Sequence, residues 1–427
     1  MVTLSIIILL LLLLFIGMPI GFVLIITGAI GIYWVGGYDT LSGILSTTAY
    51  RSVNGFTLTT IPLFILMANF ISKSNIAKEL YDCILKWIGH IPGGVGISTV
   101  FASAGFGTLS GSSVAATSIM SKICVPEMLR ARYTDSFATG LVASSSGTLA
   151  VMIPPSVPLI LYAVQTDTSV GRLLMAGVIP GILLALLLCV YIVINSLRLG
   201  SKIEKATWVE RFVSLKFIWP MVLLVVLVLA VMYLGIATST EAAAFGAIGA
   251  LIIGLVMKRL NFKDTVEALV EAAQQTAMIF VIVIGGYIFS YFFTLTGIGQ
   301  SLISTIAESG LSKWTVLFLV ILFYIILGTV MEVIGSMILT LPLVFPLMVN
   351  LGFDPIWFGV IVVLLLEIGL VTPPVGINLY VTSKQTGVPD DKIWRGSIPF
   401  LGVLMLTIIL MIIFPEIVLY LPNKMNG

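Results

Sequence analysis

The chain has 427 residues, of which 59% are hydrophobic and 9% charged, with a mean hydropathy of +1.18. A soluble domain carries roughly 25% charged residues, so the composition excludes a soluble globule, and a formal net charge of +2 makes no case for nucleic acid. Apolar runs of about twenty residues recur, the length that crosses a bilayer as a helix, while the short alternating strands of a membrane barrel are missing from the sequence.

In chain order, the opening run LSIIILLLLLLFIGMP has no basic residue before it and no small-residue cleavage site. It is therefore read as a retained first helix over 4–35 and not as a leader. Further crossings are expected near 56–72, 134–165, 173–197, 217–236, 239–257, 276–296, 355–383 and 395–414. Two regions, 92–129 and 313–349, are too long for one span and are interrupted at their centres by GTLSGSS and GTVMEVIGS. Gly, Ser and Thr there favour turns, so each region is expected to be a re-entrant hairpin of two half-length helices meeting at mid-membrane. Such backbone survives only where protein or a water-filled cavity covers it. An amphipathic stretch precedes each hairpin, at 72–90 and 299–313, as expected of arm helices lying in the interface.

Arg198, Lys202, Lys205, Arg211 and Lys216 crowd one loop, and Lys258, Arg259 and Lys263 another. The positive-inside rule makes both cytoplasmic. Counting outwards places the N-terminus inside and the C-terminus outside, with the hairpins entering from opposite faces. The landmarks Gly107-Thr108, Pro126, Pro154-Pro155 and Pro180 return as Gly328-Thr329, Pro346, Pro373-Pro374 and Pro399, at offsets of 219–221 residues. The fold class expected is thus all-α and polytopic, with inverted repeats, two hairpins and two broken helices. The first repeat covers 1–200 and the second 237–427, with a cytoplasmic loop and linking helix over 201–236. Inverted repeats with discontinuous helices point to a secondary transporter with its site near the midplane.

A helix break exposes carbonyls at one end and N–H groups at the other. Carbonyls and hydroxyls suit a hard monovalent cation such as Na+, and free N–H ends suit an anion. The cation candidates are Ser110, Ser112, Gly147, Val151 and Pro154 in the first half. Gly328, Thr329, Gly335, Thr372 and Val375 hold the matching places in the second. Ser113, Ser144, Ser145, Ser146 and Thr148 add uncharged hydroxyls, for which helix packing is the competing account. Glu332, in the second hairpin's turn, is a functional candidate by depth alone; Glu241 and Glu367 are read as structural. Neither turn holds Lys or Arg, so an anionic substrate would depend on dipoles and co-bound cations.

These residues resemble the large membrane subunit, DctM type, of tripartite ATP-independent periplasmic (TRAP) transporters. The resemblance rests on GFTLTTIPLFILMANFI (55–71), FGTLSGSSVAATSIM (106–120), MIPPSVPLILYAV (152–164), GTVMEVIGSMI (328–338) and VTPPVGINLYV (371–381), and it spans essentially the whole chain. It implies organic-acid uptake with Na+ as coupling ion and no other cofactor. It also implies a separate small membrane subunit (DctQ type) and a periplasmic substrate-binding protein (DctP type). An elevator-like transport domain would move in the bacterial inner membrane. Family Na+ sites match 110–113 with 147–154 and 328–335 with 372–376, which adds Gly376. Substrate contacts carry over to Ser112, Ser113, Ser156 and Glu332, although many relatives have Asp in place of Glu332. Among family substrates, overall similarity leans towards sialic acid, with C4-dicarboxylates and other sugar acids open.

A stand-alone Na+/anion symporter competes within the same class. An intramembrane enzyme is the rival from another class. It would need a base near one of the serines, and the sole histidine, His90, falls in an interfacial helix. Three widely separated cysteines, Cys83, Cys124 and Cys189, show neither a disulfide framework nor metal-ligand spacing.

Overall fold

A computed structural model describes residues 2–74, 76–196 and 204–425. Arg198 and Lys202 of the basic loop lie outside the described residues. Among those described, regular structure is entirely helical. The chain opens with α1 (Val2–Phe15) and α2 (Ile20–Val53), then a 3-10 turn at Phe56–Thr59, α3 (Thr60–Lys73) and α4 (Ile76–Ile88). The first hairpin is α5 (Gly94–Ser110) and α6 (Ser113–Arg130), and the first broken helix α7 (Asp135–Met152) and α8 (Val157–Gln165). α9 (Val170–Ser196), α10 (Trp208–Tyr233), α11 (Ser239–Val256), α12 (Phe262–Thr296) and α13 (Ile298–Glu308) follow. The second hairpin is α14 (Lys313–Gly328) and α15 (Val333–Asn350), and the second broken helix α16 (Pro355–Leu370) and α17 (Ile377–Thr386). α18 (Asp390–Ile413) and α19 (Glu416–Lys424) close the chain.

Among the described residues, seven helices are long and apolar enough to cross a membrane, or up to nine if each bent pair counts once. The outer faces of the bundle carry large apolar side chains such as Phe15, Phe245, Ile326 and Ile413. At the centre the pattern inverts. Every residue of α16 from Ile356 to Leu370, and of α7 from Ala138 to Met152, is buried. A helix apolar all round has no face for water and is stable only inside a packed bundle. α16 is of that kind apart from Glu367, and α7 substitutes Gly, Ala and Ser for bulk.

Small residues let the hairpins lie against these central helices backbone to backbone. A Cβ on Gly107 would fall 2.5 Å from the Cα of Ala150 in α7; one on Gly328 would fall 2.7 Å from the Leu366 oxygen in α16. The first limb of each hairpin thus packs on the broken helix of its own half. The second limbs touch both halves, α6 packing on α7 and also on α17, and α15 on α16 and also on α8. The α6–α17 seam is polar: Ser121 Oγ donates to Thr382 Oγ1 at 3.3 Å, and Gln385 Nε2 to Ser118 Oγ at 2.8 Å.

Three expectations need correction. The first crossing is not one helix over 4–35, because Gly17 (φ 86°) and Pro19 end α1 after 14 residues. At 1.5 Å per residue that is roughly 21 Å, short of a 30 Å hydrocarbon core. α2 then runs past Val35 to Val53, bending at Gly37 (φ 76°). The crossing expected at 276–296 is the far end of a 35-residue helix that starts at Phe262. Its early turns are charged, with Lys73 Nζ 3.1 Å from Glu267 and 2.8 Å from Glu271, and that polarity hides the helix from a hydropathy reading. The hairpin limbs hold 16–18 residues, roughly 24–27 Å. They are longer than half of a roughly 30 Å hydrocarbon core.

The arm stretches fold as α4 and α13. α4 is tied down by Arg259 Nη2, 2.6 Å from Glu79, and by Trp87 Nε1, which donates to the Arg211 oxygen at 3.2 Å.

Candidate functional site

Each of the four central breaks ends one helix and caps the next. The capping positions fall on Ser112 (α6), Ser156 (α8), Glu332 (α15) and Gly376 (α17). Only Ser156 caps with its own side chain, accepting from Leu159 N at 3.4 Å. Ser112, Glu332 and Gly376 make no side-chain cap bond, so the first-turn N–H groups of α6, α15 and α17 have no capping side chain. On the carbonyl side, Ser110 and Gly328 are the last residues of α5 and α14, and Val151 lies one residue before the end of α7.

The turns are built by residues that accept unusual backbone. Gly111 adopts φ 58°, and a Cβ there would meet the Pro155 oxygen at 2.9 Å; glycine is the residue that takes this conformation without penalty. The hairpin turn therefore rests on the neighbouring break, with Ser110 Oγ accepting from Ser112 N at 3.3 Å. In the second half, Gly376 (φ 56°) donates its N–H to the Thr329 oxygen at 3.3 Å, joining the hairpin turn to the break. Both Pro-Pro bonds, Pro154-Pro155 and Pro373-Pro374, are cis. Thr329 and Thr372 donate their hydroxyls back to Ile326 O and Ile368 O, each at 2.7 Å, which leaves oxygen lone pairs free to accept.

A cavity of about 120 Å³ lies between the two hairpin turns. Ser110, Ser112 and Ser113 border it from the first half and Glu332 and Val333 from the second; Val151, Val157 and Leu370 come from the broken helices. Gln275 and Met278 of α12 and Ile65 of α3 close it from the rim. No lining residue is Lys or Arg. The expected residues Ser110, Ser112, Ser113, Val151 and Glu332 thus converge on one space. Ser156, Gly147, Pro154, Thr329, Thr372, Val375 and Gly376 do not line it. Gly335 sits in the first turn of α15, where a Cβ would meet Ile20 of α2 at 2.7 Å.

The acidic residues separate by role. Glu241 completes a capping box, accepting from Thr238 N at 2.8 Å, as a structural residue should. Glu367, read from sequence as structural, is fully buried in α16. Its Oε2 accepts from Ser113 Oγ at 2.8 Å, and Ser113 Oγ accepts from Asn378 Nδ2 at 3.0 Å. Sequence reasoning passed over Asn378 altogether. The available signal was an Asn two residues beyond the Gly376 break and a lone acid in an otherwise apolar helix.

Residues 7–417 match the family described as "Tripartite ATP-independent periplasmic transporter, DctM component". A C4-dicarboxylate TRAP transporter large permease protein from Pseudomonas aeruginosa is 36% identical over 384 residues, 89% of each chain. A sialic acid TRAP transporter large permease protein from Vibrio cholerae is 33% identical over 429 residues, 97% of each. Among solved structures, the YdaH transporter of Alcanivorax borkumensis superposes with a TM-score of 0.61 at 14% identity, covering 95% of this chain and 99% of that one. That last likeness concerns the fold.

Proposed function

The chain belongs to the DctM component family of tripartite ATP-independent periplasmic transporters, and from that premise we propose that it imports a small organic acid anion together with Na+ by an elevator motion. In this reading it sits in the bacterial inner membrane, N-terminus cytoplasmic and C-terminus periplasmic. A separate small subunit extends its scaffold, and a periplasmic binding protein delivers the substrate.

The observation that carries the proposal is the cavity between the hairpin turns, with the starts of α6 and α15 at its wall and no cationic side chain. Helix N-termini attract anions, but Glu332 shares the space and repels them. Cations bound at the breaks supply the missing charge. Ser110, Ser112, Gly147, Val151 and Pro154 would hold one ion, and Gly328, Thr329, Gly335, Thr372, Val375 and Gly376 the other. Ser112, Ser113, Ser156 and Glu332 remain the proposed substrate contacts, with Ser156 acting from just outside the cavity wall.

The relatives are named for C4-dicarboxylates, sialic acid and 2,3-diketo-L-gulonate, and we propose that the anion belongs to this group of small organic acids.

The test is reconstitution with the small subunit and binding protein, comparing uptake of labelled organic acids with and without a Na+ gradient. At 100 mV each net charge adds about 2.3 kcal/mol. Two net positive charges would therefore support roughly thousandfold accumulation before the chemical gradient counts. Uptake indifferent to Na+ would remove the coupling ion. Uptake without the binding protein would favour a stand-alone symporter.

A further inference from the structure

We propose that Glu367, Ser113, Thr117 and Asn378 form a further cation site, taking one desolvated Na+ ion at the seam between the first hairpin and the second broken helix. The inference rests on the Na+-coupled reading above and adds an ion to it.

Glu367, Thr117 and Asn378 show no solvent exposure, and Ser113 shows 6%. The hydrogen bonds among them run one way: Asn378 Nδ2 to Ser113 Oγ, then Ser113 Oγ to Glu367 Oε2. They leave over Glu367 Oε1, Asn378 Oδ1 and Thr117 Oγ1, all buried and without a partner. A carboxylate removed from water must be paired, protonated or bound to a cation, and among the described residues no Lys or Arg forms an ion pair with Glu367. A proton on Oε1 would supply one donor and remove the charge. A hard cation accepts several oxygens at once and cancels the charge. A protonated Glu367 is the competing occupant of this cluster, and Na+ binding in the test below separates the two.

α7 packs directly on the cluster. A Cβ on Gly147 would lie 2.3 Å from Ser113 Oγ, 2.7 Å from Asn378 Nδ2 and 2.9 Å from Thr117 Oγ1, so α7 reaches the cluster only as glycine. Ser113 also borders the substrate cavity. An ion at this place therefore ties the start of α6 to α16 and α17 of the other half, and its occupancy sets how firmly the hairpin turn is held beside the substrate.

Equilibrium binding of radioactive Na+ to the purified full chain in nanodiscs tests this, with Glu367→Gln and Thr117→Val as near-isosteric variants. Each should lose one ion per chain, or weaken one site by on the order of 10- to 100-fold. Ser112→Ala should remove a different ion, so that Ser112→Ala with Thr117→Val loses two. Melting temperature reports folding, and if Glu367→Gln does not fold, Thr117→Val decides. Wild-type stoichiometry and affinity in the folded variants, with Ser112→Ala still losing its ion, overturns this site alone. A wild-type chain that retains no Na+ overturns both this site and the coupling ion.

Discussion

The close approach of α5 to α7 can be tested with a single methyl group. In Gly107→Ala the new Cβ would sit 2.5 Å from the Cα of Ala150, 2.9 Å from its N and 3.1 Å from its Cβ. Carbon atoms settle at about 3.5–4.0 Å, so the hairpin limb must retreat by roughly 1 Å. Nothing in the contact is a flexible side-chain tip that could swing aside. Overpacking of this kind costs about 1–3 kcal/mol. Gly402→Ala is the matched control, because its Cβ would meet nothing within 4 Å in the middle of α18. There the replacement should stabilise by about 0.4–1 kcal/mol. Thermal unfolding followed by tryptophan fluorescence should therefore move in opposite directions for the two variants. Na+ binding should weaken only in Gly107→Ala, since Ser110 lies on the displaced limb. Gly328→Ala, with a Cβ 2.7 Å from the Leu366 oxygen, should repeat the loss in the other half. An unchanged melting temperature and ion affinity in Gly107→Ala would refute the backbone-to-backbone packing on which the turn geometry depends.

Ser112→Ala and Thr372→Ala should abolish Na+-driven uptake in vesicles while leaving the amount of membrane-inserted protein unchanged; wild-type transport by either would cancel the cation assignment in that half. Arg132→Glu should alter orientation or expression, read by protease accessibility, without changing ion affinity. His90 Nδ1 accepts from Arg211 Nη2 at 3.3 Å, and burial, then the charges of Arg211 and Lys205, hold the ring below its usual 6.5. The unfolded chain takes up this proton first as pH falls through 6.5, so stability should fall with pH below that point. His90→Gln should flatten that slope in melting curves recorded between pH 7 and 5.

The parts of this fold legible in the sequence were those where chemistry interrupts hydrocarbon. GTLSGSS, GTVMEVIGS and the two Pro-Pro pairs stand out against leucine and isoleucine, and all four coincide with breaks. The amphipathic arms were readable for the same reason. What stayed hidden was long-range. The extension of α12 back to Phe262 is charged, and hydropathy reads charge as loop even where Lys73 on another helix neutralises it. The separation of α1 from α2 needed the local effect of Gly17 and Pro19 to be weighed above a continuous apolar run. Glu367 looked structural because one acid in VVLLLEIGL gives no direction. Only the fold brings Ser113, distant by 254 positions, against its carboxylate. The cavity depended on the same long-range assembly, since its walls come from both hairpins and from α3 and α12.

The contact of the second limbs with both halves has a mechanical consequence. With α6 seated on α17 and α15 on α8, each half of the molecule grips a piece of the other, like clasped hands. Pulling one hairpin aside would tear open buried surface in both halves, so the proposed elevator motion would carry the four breaks as a single freight. Outside that grip the chain bends at positive φ at Gly37 inside α2 and at Gly297 between α12 and α13, where even an added Cβ would meet nothing within 4 Å.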